Sequence, residues 1–497
     1  MQRKQLTLVI VSLLVVVLSV SLAYFTAQII GKGKDVSVTS ANLQIVFTDS
    51  DGALTETDIE PGWSATKTFT IKNDTKTEYK YNIVIKDLLN TFVTEEYLQY
   101  KITSTNDGYN MTEFKDIPKS STPKDTILAY SVVIPNGVTQ SYTIEFKYTN
   151  DENIDQSDDM GKQLSGTLFI TEGTELTFLT QLLADKSTRL TRMDFSKVLT
   201  DNNTNTLYTS TEDSKTVYYF AGNATDNWVK FGKNASNQDL YWRIIRTNSE
   251  GSIRLLYHGT STTATNAYIG TIKFNSTYND AMYVGYMYGT SGSQVNNRTN
   301  TNSSTIKGVI DTWYKDNLNS NYGKYLSATA IYCNDRSVTS GTYSVSSSFG
   351  YSAKTRLDVN KTPTYNCADT NDKFTADTST GNGKLTYPIA LMTADEVSFA
   401  GGKYGSNAPT WYYYNSANES STGSTWWWVL SPYIWDGSYA HVFGVHGSSW
   451  PGLLNSNLVL DTGGVRPVTS LKSCVKYSSG DGTATNPYTI QETTSGC

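Results

Sequence analysis

At 497 residues with 38% hydrophobic side chains, the chain is long enough for roughly three folded units of about 150 residues, so size alone demands no staples. Only 17% of residues are charged and the formal net charge is −6, which excludes a protein that holds nucleic acid by neutralising phosphates. A polar mixture with 35 Tyr and only 11 Pro favours pleated surfaces and points to an exported all-β or α+β protein.

Arg3 and Lys4 precede an uncharged apolar run, Leu6 to Ile30, long enough to span a hydrocarbon core that needs about 20 residues. Residues 1–30 therefore read as a membrane anchor or as a cleaved signal segment. The run exceeds the usual signal core of about 7–15 residues, while the small residues near Ala23 and Ala27 suit cleavage. Either way the basic flank stays cytoplasmic and the rest lies outside the membrane, at the cell surface or secreted.

Residues 36–172 alternate in strand fashion through "NLQIVF", "TKTFTIKN", "KYNIVIKD", "YSVVIP", "SYTIEFKY" and "SGTLFIT". Period two puts Phe69 and Ile71 on one face, and likewise Tyr142, Ile144 and Phe146. The expectation is a β-sandwich of jelly-roll or Ig-like type. The order "LAYFTA", "ANLQIVF" and "IEPGWSATKTFTIKN" resembles the TasA/camelysin-type secreted fibre and matrix proteins of Gram-positive bacteria over about residues 1–172. That resemblance implies a jelly-roll and self-assembly, with "DVSVTSANLQIVF" completing a neighbour's sheet.

In residues 173–205, Leu176, Leu179, Leu182 and Leu183 line one face of a short helix before an Asn/Thr-rich stretch, which reads as a helical connector. A second domain, 206–472, then opens with the strands "YYFAG", "NWVKFG", "YWRIIRTN" and "SIRLLYHG". Ile306, Val309, Ile310, Trp313 and Tyr314 fall at helical spacing. In "MTADEVSFAGG", Thr393 and Glu396 form a capping box and Gly401 marks the helix end. The domain is therefore expected to be α+β.

The segment Trp426 to Pro467 is dense in rings. Trp426, Trp427 and Trp428 cannot all face one core on a strand, so two should pack and one point away. Trp427, Trp428 and Phe443 read as core. Trp435, Tyr439, Trp450, Asn455 and Asn457 sit among Gly, Ser, Pro and Asn and read as exposed, in the composition of adaptable binding loops. The strings "WWWVLSPY", "SYAHVFGVHG" and "GGVRPV" resemble the C-type-lectin fold of bacterial surface proteins, including the variable proteins of diversity-generating retroelements and the formylglycine-generating-enzyme branch. The retroelement resemblance implies ligand-contacting positions between Tyr433 and Gly463. The candidates there are Trp435, Asp436, Tyr439, His441, His446, Trp450, Asn455 and Asn457.

Four cysteines allow three pairings, of which the local one, Cys333 with Cys367 and Cys474 with Cys497, is expected, with residues 473–497 as a disulfide-closed tail. A zinc site is the alternative, but there is no Cys-x-x-Cys spacing and no His beside any of them. No cysteine falls within the aromatic segment, which departs from the oxidising cysteine pair that the formylglycine-generating resemblance implies. Asn150–Asn153 and the stretch around Asp158 read as solvated acidic turns rather than calcium sites. No catalytic residue, metal or cofactor is expected. The expected function is a surface ligand-binding, adhesin-like protein whose partner is a protein or glycan on another cell. Two alternatives remain: a fibre or matrix subunit, and an enzyme on the lectin-like scaffold.

Overall fold

The computed structural model describes residues 35–497 apart from 41–42, 50–53, 57–60, 94–96, 160–161, 174–175, 187, 265–266, 413, 416–425 and 448–449. The run Leu6 to Ile30, and with it the choice between anchor and signal, lies outside the described residues. Among those described, no helix is long and apolar enough to cross a membrane. The chain is β-rich and divides into two units, Met1–Leu176 and Thr177–Cys497.

The first unit consists of ten strands: β1 (Asp35–Ser40), β2 (Leu43–Asp49), β3 (Leu54–Glu56), β4 (Ser64–Asn73), β5 (Tyr79–Asn90), β6 (Leu98–Ser104), β7 (Lys115–Asp116), β8 (Ser120–Ile134), β9 (Thr139–Tyr148) and β10 (Leu164–Glu172). They form two sheets, in the orders β1-β2-β4-β9-β6-β7 and β3-β10-β5-β8. Each pairing is antiparallel. Alternation decides what each sheet buries: Phe69 and Ile71 of β4 and Tyr142, Ile144 and Phe146 of β9 join Tyr81, Ile83 and Ile85 of β5 in one core. A polar link crosses that core, since the Tyr81 hydroxyl lies 2.6 Å from both Gln140 Oε1 and the Tyr142 hydroxyl. Strand β1 pairs with β2 of its own chain, Asp35 opposite Thr48. Around the acidic turns, Asp151 and Asp155 accept backbone amides two residues on. Asp159 departs from the solvated reading: it is buried and accepts the Tyr148 hydroxyl at 2.7 Å.

From Thr177 on, the segment read as a connector belongs to the body of the second unit. Helix α1 (Phe178–Asp185) is capped by the Thr177 hydroxyl, and it buries Phe178 and Leu182 against the core that also holds Val475 and Tyr488. Residues 202–203 and 206–212 are themselves strands of this unit. The tail is equally integral, because Val475, Tyr488 and Ile490 join the same core and the Lys230 amide donates to Tyr488 O at 2.9 Å. The partner of the leucine face thus arrives some 300 residues later, where no local pattern points to it.

One sheet is centred on β11 (Asp239–Thr247) and β12 (Ile253–Gly259), a hairpin turning at Gly251, whose φ of +86° suits a residue without a Cβ. The other sheet holds β13 (Trp427–Trp435), β14 (Ala440–Val445), β15 (Leu454–Leu458) and β16 (Thr462–Gly464). Strand β17 (Val468–Leu471) carries the chain back to pair with β12. Two helices cover the sheets. Helix α2 (Thr305–Asn317) buries Ile306, Ile310 and Tyr314. Helix α3 (Ala394–Ala400) has the expected capping box from Thr393 and Glu396 and ends at Gly401. Disulfides join Cys333 to Cys367 and Cys474 to Cys497, the local pairing expected, which suits an oxidising compartment.

Candidate functional site

The aromatic segment builds its surface from the pleat of three neighbouring strands. Register places Gly444 of β14 opposite both Trp428 of β13 and Asn455 of β15, and Val442 opposite Asn457. Facing pairs share a side of the sheet, so Trp426 and His446, one step beyond each strand, emerge on that side too. Their rings stack at 6.0 Å between centroids, tilted by 23°. Trp450 meets His446 edge-on at 5.9 Å, and Asn457 Nδ2 lies 3.4 Å from His446 Nε2. Trp450 is 56% exposed, whereas Trp426, His446, Asn455 and Asn457 are half-buried.

Two glycines make room for this arrangement. A Cβ on Gly463 would come within 2.5 Å of the Trp426 ring, and one on Gly444 within 3.0 Å of the same ring. Trp426 therefore lies directly on the sheet backbone. The loop that presents Trp450 is tied by its own main chain: the His446 and Gly452 amides donate to Leu453 O at 2.8 Å and His446 O at 2.9 Å. Burial holds the His446 pKa below the usual imidazole value, so its ring is neutral at pH 7 and offers one donor and one acceptor.

At the other end of β14 a second group gathers. Asp436 Oδ1 accepts the Ser438 and Tyr439 amides at 2.8 and 2.7 Å, and Oδ2 lies 3.0 Å from His441 Nε2. Burial opposes the Asp436 charge, yet the His441 contact and the two amides outweigh it and lower its pKa. Tyr439 stacks on Tyr278 at 5.2 Å. The structure thus brings His446, Trp450, Asn455 and Asn457 together, and separately Asp436, Tyr439 and His441.

Trp435 corrects the sequence reading. It is 1% exposed and sits in the core, because β13 runs on through it and the turn begins only at Asp436. Phe443 is fully buried, as the sequence reading has it, and so is Val445, so the exposed side chains of this segment lie at the ends of β14. Two residues went unnamed as candidates. Trp426 was hidden in a triplet whose outward member had not been singled out, and Tyr278 has no local signal linking it to Tyr439.

A cluster of buried charges lies elsewhere in the unit, around a cavity of about 20 Å³. Arg246 joins Glu212 and Glu396 at 2.9 Å each, Arg254 reaches Glu396 at 3.3 Å, and Arg356 pairs with Asp335 at 2.6 Å and Asp395 at 2.9 Å. Burial opposes the charge of Arg246, but Glu212 and Glu396 outweigh it and raise its pKa. Each of these carboxylates is held by an arginine, which suits a structural tie rather than a free general base.

His258 is a core residue. It is 2% exposed, meets Trp228 edge-on at 4.4 Å, and neither ring nitrogen has a hydrogen-bond partner. Burial, then the charges of Arg466 and Arg243, push its pKa well down, so the native ring is neutral. The unfolded chain takes up a proton below about pH 6.5 that the native state does not, so this group's contribution to stability falls as pH falls. The expected loss approaches about 1.4 kcal/mol per pH unit below that point. Urea melts at pH 7, 6 and 5 should show a shallower decline in His258→Gln than in the parent.

No protein-family model, curated protein or solved structure matches the chain.

Proposed function

We propose that the chain is an exported surface protein whose second unit binds a ligand, a protein or glycan on another cell or surface. Its ligand-binding face is formed by Trp426, His446, Trp450, Asn455 and Asn457. In this reading the first unit is a TasA-like sandwich serving as stalk, the second is a C-type-lectin-like head, and an N-terminal membrane segment supplies the anchor. The observation that carries it is the half-exposed, glycine-floored group of rings and amides on one side of β13 to β15. Rigid rings offer contact area at low entropic cost, and the amides and the neutral imidazole offer directed hydrogen bonds. A second reading, assembly into fibres through the sandwich, draws on β1 at the end of its six-stranded sheet, where among the described residues one backbone edge has no partner strand and could take strand addition.

The test is binding of the labelled full-length protein to a glycan array and to immobilised bacterial and animal cells, parent beside Trp450→Ala and Asn457→Ala. An anchor ring at an interface contributes about 2 kcal/mol or more, so Trp450→Ala should weaken binding roughly 30-fold. Its melting curve should barely move, because exposed substitutions shift stability by about 0.5 kcal/mol or less. Undiminished binding by both variants would place the contact elsewhere.

A further inference from the structure

Lys186 and Asp226 form a salt bridge that is almost completely withdrawn from water. Their side chains are 1% and 3% exposed, with Nζ 2.7 Å from Oδ2. Nζ also donates to the Asp481 carbonyl at 3.1 Å, and Oδ2 accepts the Asn205 amide at 2.8 Å. Asp226 Oδ1 is buried with no partner. Above the pair, the Tyr488 ring faces Nζ at 5.3 Å, while its hydroxyl donates to Asp185 Oδ2 at 2.7 Å.

Such a pair is poorly served as ions. Each charge has lost its hydration, and the carboxylate has an oxygen left unsatisfied, a burden that a single contact seldom offsets. Once a proton passes from Nζ to the carboxylate 2.7 Å away, Lys186 presents a neutral amine beside a carboxyl carbon. That amine is a nucleophile, and fixed proximity replaces the entropy of a bimolecular encounter.

We propose that Lys186 and Asp226 condense into an intramolecular amide, a covalent cross-link between Nζ and Cγ that the folded protein makes by itself. The Nζ–Cγ bond forms and the Cγ–Oδ1 bond breaks. Of the three ammonium hydrogens, one stays on the amide nitrogen and two leave with Oδ1 as water, so no oxidant, cofactor or outside proton is consumed. The existing hydrogen bonds already suit the product. The Asn205 amide that now holds Oδ2 holds the developing oxyanion and then the amide carbonyl. The Asp481 carbonyl keeps the remaining N–H, and the one oxygen without a partner is the one that departs. Two buried charges and a buried unsatisfied acceptor vanish together. The cross-link ties the end of α1, just inside the point where the chain enters this unit, to the strand region after Asn223, beside the loop at Asp481.

Peptide mapping of the purified full-length protein tests this. The disulfides are reduced and alkylated, the chain is unfolded in denaturant and trypsin is added. The expected result is loss of the linear peptide ending at Lys186. In its place a branched peptide should join Lys186 to the segment containing Asp226, with the summed mass less one water. Lys186→Arg keeps the charge but removes the primary amine, and should restore two linear peptides. A full yield of the peptide ending at Lys186, with the Asp226 peptide at its unmodified mass, overturns the proposal. So does a water loss that maps elsewhere in the chain.

Discussion

Trp435→Ala is expected to lower the stability of the second unit by about 3–5 kcal/mol, the usual cost of deleting a buried aromatic ring. The ring is 1% exposed, on a strand whose neighbour places Phe349 opposite it, so truncation leaves a hole that the sheet cannot close. Against a total that for a domain is commonly about 5–15 kcal/mol, this is a large fraction. Calorimetry of the full chain reads the effect as a fall in the transition of the second unit, with that of the first unit unmoved. The contrast with Trp450→Ala, 15 positions on and 56% exposed, is the point of the experiment. A Trp435→Ala chain that melts like the parent would return this residue to the surface and reopen the assignment of the whole segment.

Arg246→Met should be of similar size for a different reason. Removing the guanidinium leaves Glu212 buried with only the Ser249 amide and Glu396 paired with Arg254 alone, and breaking a buried pair commonly costs about 3–5 kcal/mol. The sign of the recovery is diagnostic. Adding Glu212→Gln removes one orphaned charge while its amide oxygen can still accept the Ser249 N–H, so the double variant should be more stable than Arg246→Met alone. Urea unfolding of the four members of that cycle measures the coupling. Additive losses would mean that the arginine does not hold Glu212 energetically, whatever their 2.9 Å separation.

These two residues also show where sequence reasoning ran out. Trp435 stands beside Asp-Gly-Ser, the composition of a turn, and nothing local reveals that the strand outlasts the apolar run by one residue. Arg246 lies in "YWRIIRTN", where a charge in strand alternation ordinarily faces water; its acceptors come from 34 positions before and 150 after. By contrast α3 was legible to the residue, because a capping box and a terminal glycine are local chemistry. Six strands of the first unit, β2, β4, β5, β8, β9 and β10, were legible for the same reason, each carrying its own alternation, whereas β3, β6 and β7 were not. In the proposed binding face, Trp450, Asn455 and Asn457 announced themselves by composition, and His446 entered through the retroelement resemblance. That Trp426 joins them and Asp436, Tyr439 and His441 do not follows from register, which strand lengths and the bulged pairing of β13 with β14 decide.

The glycines beneath Trp426 divide the proposed binding face into parts that tolerate change unequally. At 463 even a methyl group collides with the indole, and at 444 it would meet Asn457 Nδ2 at 2.8 Å and crowd the indole at 3.0 Å, so those positions fix the floor. Residues 450, 455 and 457 project from that floor and can be exchanged without disturbing what lies under it. A library randomised at the rim should consequently keep its fold while spreading across new ligands, and one randomised at the two glycines should mostly fail to express. On such a surface, recognition can drift while architecture stands still.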